Sequence, residues 1–172
     1  MNRTIAIIAV LLCTACGAAT AQKADPPSPL LSPDQLKDGR TWTVAGTSHG
    51  TWRDLDADLV PCGNRDIAPV AAPVQWRSFT AADGAMVTQV VVEDVDAMDA
   101  FKRFYAECGA VGSVDSMAGP KNVARHDGEL EVAAMSKDRF VVLGGVLGGT
   151  VSDEQLRSFA ETARLHLDGL SS

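Results

Sequence analysis

Gly46-Thr47-Ser48-His49-Gly50 has the G-x-S-x-G spacing of a nucleophile elbow, the sharp strand-to-helix turn that lifts a serine hydroxyl toward an acyl group. That chemistry requires several strands, and a loop supplying half of an oxyanion hole, ahead of the serine. Only a short run separates a proline-rich stretch from Gly46, so the pentapeptide reads as turn composition. Ser48 stays as the nucleophile of an alternative reading, a small secreted hydrolase. Asp54, Asp56 and Asp58 alternate as at the start of a calcium loop, but an EF-hand needs Gly at its sixth position and Glu at its twelfth, where Leu59 and Arg65 stand. They read as a solvated acidic face, and a second alternative makes that face the contact of a protein-binding or inhibitory module.

The remaining reactive types have structural readings beside the chemical ones. Glu93, Asp94, Asp96 and Asp99 sit where a helix N-terminus favours negative charge. Gly144-Gly145 and Gly148-Gly149 come just before a helix start, a place for anions, but no Lys-Ser/Thr pair follows. Close packing or a bulge in a central strand explains them more simply. His49, His126 and His166 lie far apart, with no Cys or carboxylate at a catalytic spacing, and read as surface or turn residues. Aromatic residues make up only 5% of the chain, which draws notice to Trp42, Trp52 and Trp76. A Trp at the mouth of a cleft contacts ligands, and Trp52, Arg53 and Arg77 form the candidate ligand-binding set. No metal ligand spacing and no cofactor motif is present in the sequence.

The N-terminus gives these residues a compartment. Met1-Asn2-Arg3-Thr4 is followed by Ile5 to Leu12 without a polar side chain, a run too short to span a bilayer and typical of a signal peptide. Two cleavage sites compete. Leu12-Cys13-Thr14-Ala15-Cys16-Gly17 resembles a bacterial lipobox, with Cys13 where Leu is usual, and would leave a lipidated Cys16 after a 1–15 signal. Ala19-Thr20-Ala21 would instead end a 1–21 signal and release a chain beginning at Gln22. Residues 22–33, with Pro26, Pro27, Pro29 and Pro33, read as a tether, and 34–168 as one domain. Cys62 and Cys108 are the pair left inside that domain, and in an oxidising compartment they read as a disulfide. The formal charge of −7 becomes −8 when Arg3 leaves with the signal, which argues against nucleic acid as a partner.

Hydrophobic patterning supplies the elements. Thr41 to Ala45 suits a first strand, and Thr51 to Val60 a short helix with Trp52, Leu55 and Leu59 on one side. Val74 to Thr80 and Met86 to Val92 flank Asp83-Gly84, a hairpin signal. Asp96 caps a helix in which Met98, Phe101, Tyr105 and Cys108 recur at helical spacing. The second half repeats the plan: Glu129 to Met135 alternates, Ser136-Lys137-Asp138 turns, and Phe140 to Leu147 is apolar throughout. Ser152 with Gln155 forms a capping box, and the helix after it presents Leu156, Phe159, Ala160, Ala163 and Leu167. Two hairpin-then-helix units predict an α+β domain, an antiparallel sheet with helices packed on one face.

Leu30 to Leu36, the strand through Trp42, Cys62, and a hairpin leading to a helix that ends at Cys108 follow an order similar to the PknH-like extracellular sensor domain, found on some mycobacterial kinases and in free-standing actinobacterial lipoproteins. The resemblance covers most of residues 30 to 168. It implies a cleft, disulfide stabilisation and a role in sensing or binding in the cell envelope. Members with two disulfides exist, whereas this domain has cysteines for one. The leading expectation is therefore a non-enzymatic, exported binding or sensor domain. It would be anchored to a membrane through a lipid on Cys16, or else secreted or periplasmic, and would take a small molecule or an envelope component.

Overall fold

The computed structural model describes residues 27–108, 123–126, 128–146 and 150–170. The expected signal peptide, both candidate cleavage sites, Cys16 and the start of the expected tether lie outside the described residues.

The strongest strand signals set the frame. β2 (Pro73–Ala81) and β3 (Met86–Val92) form the expected antiparallel hairpin, with Gly84 at the positive φ of 84° that its tight turn requires. β5 (Glu129–Ser136) and β6 (Arg139–Val146) form the second. The two hairpins join through β3 and β6, antiparallel, with Val87 opposite Gly145 and Val92 opposite Phe140. β1 (Trp42–Thr51) adds to β2, and the short β4 (Ala124–His126) adds to β5. The sheet has six strands in the order β1-β2-β3-β6-β5-β4. The chain is α+β, as the patterning predicted.

β1 runs well beyond the expected Thr41 to Ala45. Pairing with β2 carries the glycine-rich segment into the sheet, with a register shift between Val44 and Gly46, so that Gly46 to Gly50 is edge strand where its composition suggested a turn. The helix expected over Thr51 to Val60 is two 3-10 turns, Trp52–Asp54 and Ala57–Leu59, with Trp52 and Leu55 buried.

α1 (Ala97–Glu107) starts at Asp96, whose side chain accepts the Asp99 N–H at 3.0 Å. α2 (Asp153–Leu170) starts at the predicted capping box: Ser152 N donates to Gln155 Oε1 at 2.8 Å, and Gln155 N donates to Ser152 Oγ at 3.2 Å. The expectation that both helices share one face is corrected. Val141 and Leu143 of β6 pack in a core with Leu156, Phe159, Ala160, Ala163 and Leu167 of α2. Their neighbours Phe140 and Val142 pack in a second core with Phe101, Phe104 and Tyr105 of α1. Strand alternation sends successive side chains to opposite faces, so the helices sandwich the central strands.

α2 covers one end of its face, and the N-terminal segment covers the rest. Leu30, Leu31 and Leu36 are buried in the α2-side core. Leu31 N donates to the fully buried Gln89 Oε1 at 2.9 Å, and Leu31 O accepts from Arg77 Nη1 at 2.5 Å. Residues from Leu30 onward therefore belong to the domain, which shortens the tether expected over 22–33.

Candidate functional site

On the α1 side of the sheet, Phe104 meets Phe140, their ring centroids 6.0 Å apart, and the Tyr105 hydroxyl bonds the backbone of Ala133. α1 thus covers the Phe140 end of β6. At the Gly144 end the cover is different: the chain between Ala57 and Gly63, in 3-10 turns, stands over the sheet and leaves a cleft. Its floor is Met86, Thr88 and Val90 of β3, Val142, Gly144 and Gly145 of β6, and Glu129 and Glu131 of β5, with Asp58, Leu59 and Pro61 above. This hollow has a volume of about 110 Å³. A second of about 270 Å³ adjoins it and shares Asp58, Glu129 and Glu131.

Glu131 is the unusual member. It is only 6% exposed, and its Oε2 accepts the Cys62 backbone N–H at 2.8 Å. No other hydrogen bond reaches it from the described residues; Oε1 is not sealed in but opens to the cleft, where solvent reaches it. Burial raises its carboxyl from 4.5 to about 7; the Cys62 N–H opposes this, and the charge of Glu129 adds to it. Two features of the chain make room for it. Gly144 is its cross-strand partner on β6, and a Cβ there would stand 3.8 Å from Glu131 Cγ. Cys62 has φ 44°, a left-handed conformation uncommon for a residue with a side chain, and its N–H meets the carboxylate. The disulfide to Cys108, at the C-cap of α1, holds that turn against the helix, with Cα atoms 5.5 Å apart.

The sequence-predicted ligand set does not converge here. Trp52 is fully buried, and its Nε1 donates to Arg65 O at 2.7 Å. Arg53 is exposed, while Arg77 faces the α2 side, with Nε donating to Thr47 Oγ1 at 3.0 Å. Trp76 is partly buried against the α1-side core. Ser48 lies exposed in edge strand β1 opposite Trp76, and alternation turns His49 to the other face. The strand-to-helix turn of a nucleophile elbow is therefore absent at Ser48. Asp54 caps its own 3-10 turn: Thr51 Oγ1 donates to it at 2.6 Å and holds its carboxyl below the usual range. No cluster of His, Cys, Asp and Glu among the described residues could hold a metal ion.

A Cβ at Gly145 would stand 3.6 Å from Met86 O and 3.9 Å from Leu156 and Val151 of the α2-side core, ordinary contact distances, so close packing does not by itself demand glycine there. Gly148 and Gly149 lie outside the described residues. His166 is no loose surface residue, since its Nε2 is 2.8 Å from Ser28 O. A third hollow, of about 430 Å³, lies beside Pro27 to Pro29; there Gln75 Nε2 donates to Glu93 Oε1 at 2.8 Å, and Arg139 Nε forms a long ion pair with Glu93 Oε2 at 3.9 Å. Sequence reasoning missed Glu131. The available signal was a carboxylate inside an apolar strand, joined to a glycine pair in the facing strand.

The domain so defined is an α+β sandwich of two helices about one antiparallel sheet, with an acidic cleft at one end. No family model matches the sequence, and neither does any curated protein. Among solved structures, a GTP-binding regulator from Thermotoga maritima is similar at a TM-score of 0.44 and 14% identity, over 83% of this chain and 92% of that one.

Proposed function

We propose that this protein is a non-enzymatic binding or sensor domain that works outside the cytoplasm, and that its ligand enters the cleft at Glu131. The observation that carries the reading is the buried carboxylate with one unused oxygen on the cleft wall. That oxygen opens to the cleft, and a donor on a ligand can bond it in place of solvent. Apolar side chains with a few convergent polar groups are the usual lining of a small-molecule site, and Leu59, Val90 and Val142 beside Glu131 fit that description. The hydrophobic run Ile5 to Leu12 and the disulfide pair Cys62 and Cys108 support export, in keeping with the resemblance to PknH-like sensor domains.

Amide NMR with a fragment library tests the cleft. Fragments that bind should move the Cys62, Thr88 and Gly144 amides together; a library that moves none of them overturns the assignment. Mass spectrometry of the mature N-terminus tests the location. A diacylated Cys16 is the expected product. A free Gln22 means release instead of anchoring, and an intact Met1 rejects export.

A further inference from the structure

We infer that the cleft selects a small organic cation, an ammonium on a short aliphatic body, with Glu131 as its counter-ion. The inference rests on the binding role proposed above and names the class of ligand. Three carboxylates, Asp58, Glu129 and Glu131, line both hollows, and no Lys, Arg or His is among the described lining residues. A lining with these carboxylates disfavours an anion, in keeping with the negative formal charge of the chain. The buried position of Glu131 and its unused oxygen, not the number of acids, point to a ligand.

The two ends of the cleft match the two ends of such a molecule. Oε1 of Glu131 offers a charge-assisted hydrogen bond to an N⁺–H donor. Leu59, Val90 and Val142 give an aliphatic body an apolar surface, with Met86 at the open rim. Gly144, without a side chain, lies beside Glu131 and adds to the space of the cleft. A guest cation would also offset the burial of Glu131, whose carboxylate takes one backbone N–H from the described residues. Ionisation of Glu131 becomes favourable once an opposite charge is beside it.

The test is an amide NMR titration of the disulfide-intact domain with n-butylammonium and 1,5-diaminopentane, and with n-butanol and butyrate as neutral and anionic controls. Both amines should shift Cys62, Thr88 and Gly144 saturably, and the controls should not. Glu131→Gln should weaken the amines at least tenfold. Asp58→Asn, which leaves the Cys62 bond intact, should weaken them less. Butylammonium stays charged across the neutral range, so its affinity should rise about tenfold from pH 6 to pH 8 as Glu131 ionises. Comparing 1,5-diaminopentane with a blocked lysine amide shows whether a free amine or a peptide-borne one fits better, and saturable binding of either supports the class. Amines that shift these amides no more than butanol does, or equal affinity in Glu131→Gln, overturn the inference. If butanol or butyrate binds there and the amines do not, the cation class falls while the binding role stands. If all four probes fail, the class falls, and the fragment screen decides the binding role separately.

Discussion

Glu131 is held at a cost to the fold, and the sign of that cost is testable. Its carboxyl ionises at about 7 in the folded chain against 4.5 when exposed. The folded state therefore retains a proton that the unfolded state has released between those two values. Stability should fall as pH rises from 4.5 to about 7 and level off above. Gln at this position is always neutral and can still accept the Cys62 N–H. Glu131→Gln should match the parent near pH 4.5 and exceed it at pH 8 by up to about 3 kcal/mol in chemical denaturation. An equal effect at both pH values would mean that Glu131 is not buried in this way. A residue whose replacement stabilises the protein and weakens ligand binding is kept for function.

At the scale of elements, the sheet edge next to β4 shows how the helix and strand are tied. β4 pairs with β5 only from Glu129 to Glu131, so the outward N–H and C=O of Ala133 lie past that pairing. The Tyr105 hydroxyl takes both, donating to Ala133 O at 3.1 Å and accepting from Ala133 N at 3.0 Å. Burial there pushes the phenol up to about 12. Tyr105→Phe removes both bonds inside the α1-side core and should destabilise the domain by about 1 to 3 kcal/mol, because buried backbone groups are left unsatisfied. Urea denaturation measures it. Hydrogen exchange at the Ala133 amide should also accelerate, whereas Thr88 on β3 should change only with global stability.

For the whole molecule, the disulfide is the tie between the cleft's roof and α1. It spans 46 residues of sequence and anchors the turn that presents the Cys62 N–H to Glu131. The chain-entropy model gives a stabilisation of about 4 kcal/mol for a loop of that length. A chain with Cys62→Ser and Cys108→Ser should lose about that much in denaturant titration. The parent should match it after reduction, and the variant should not respond to reductant. Where it stays folded, its butylammonium affinity should fall, because the turn over the cleft is no longer held to the helix.

The local signals were legible in the sequence because each arises within one segment. Asp83-Gly84 fixed a hairpin, Ser152 with Gln155 fixed a helix start, and the spacing of Leu156, Phe159, Ala163 and Leu167 marked the buried stripe of α2. Cys62 and Cys108 could be paired by counting. The rest depended on what is packed against each segment. Alternation along Phe140 to Leu143 says that neighbours face opposite ways, but not that α1 takes one side and α2 the other. Gly46 to Gly50 has turn composition and becomes a strand because β2 supplies a ladder for it. Trp52 reads equally as a cleft residue or a core residue, and the chain folded over it decides. The site is the clearest case. Glu131 and Cys62 are 69 residues apart, and only the tertiary fold sets a backbone N–H against that carboxylate, buries most of it and turns its other oxygen to the cleft.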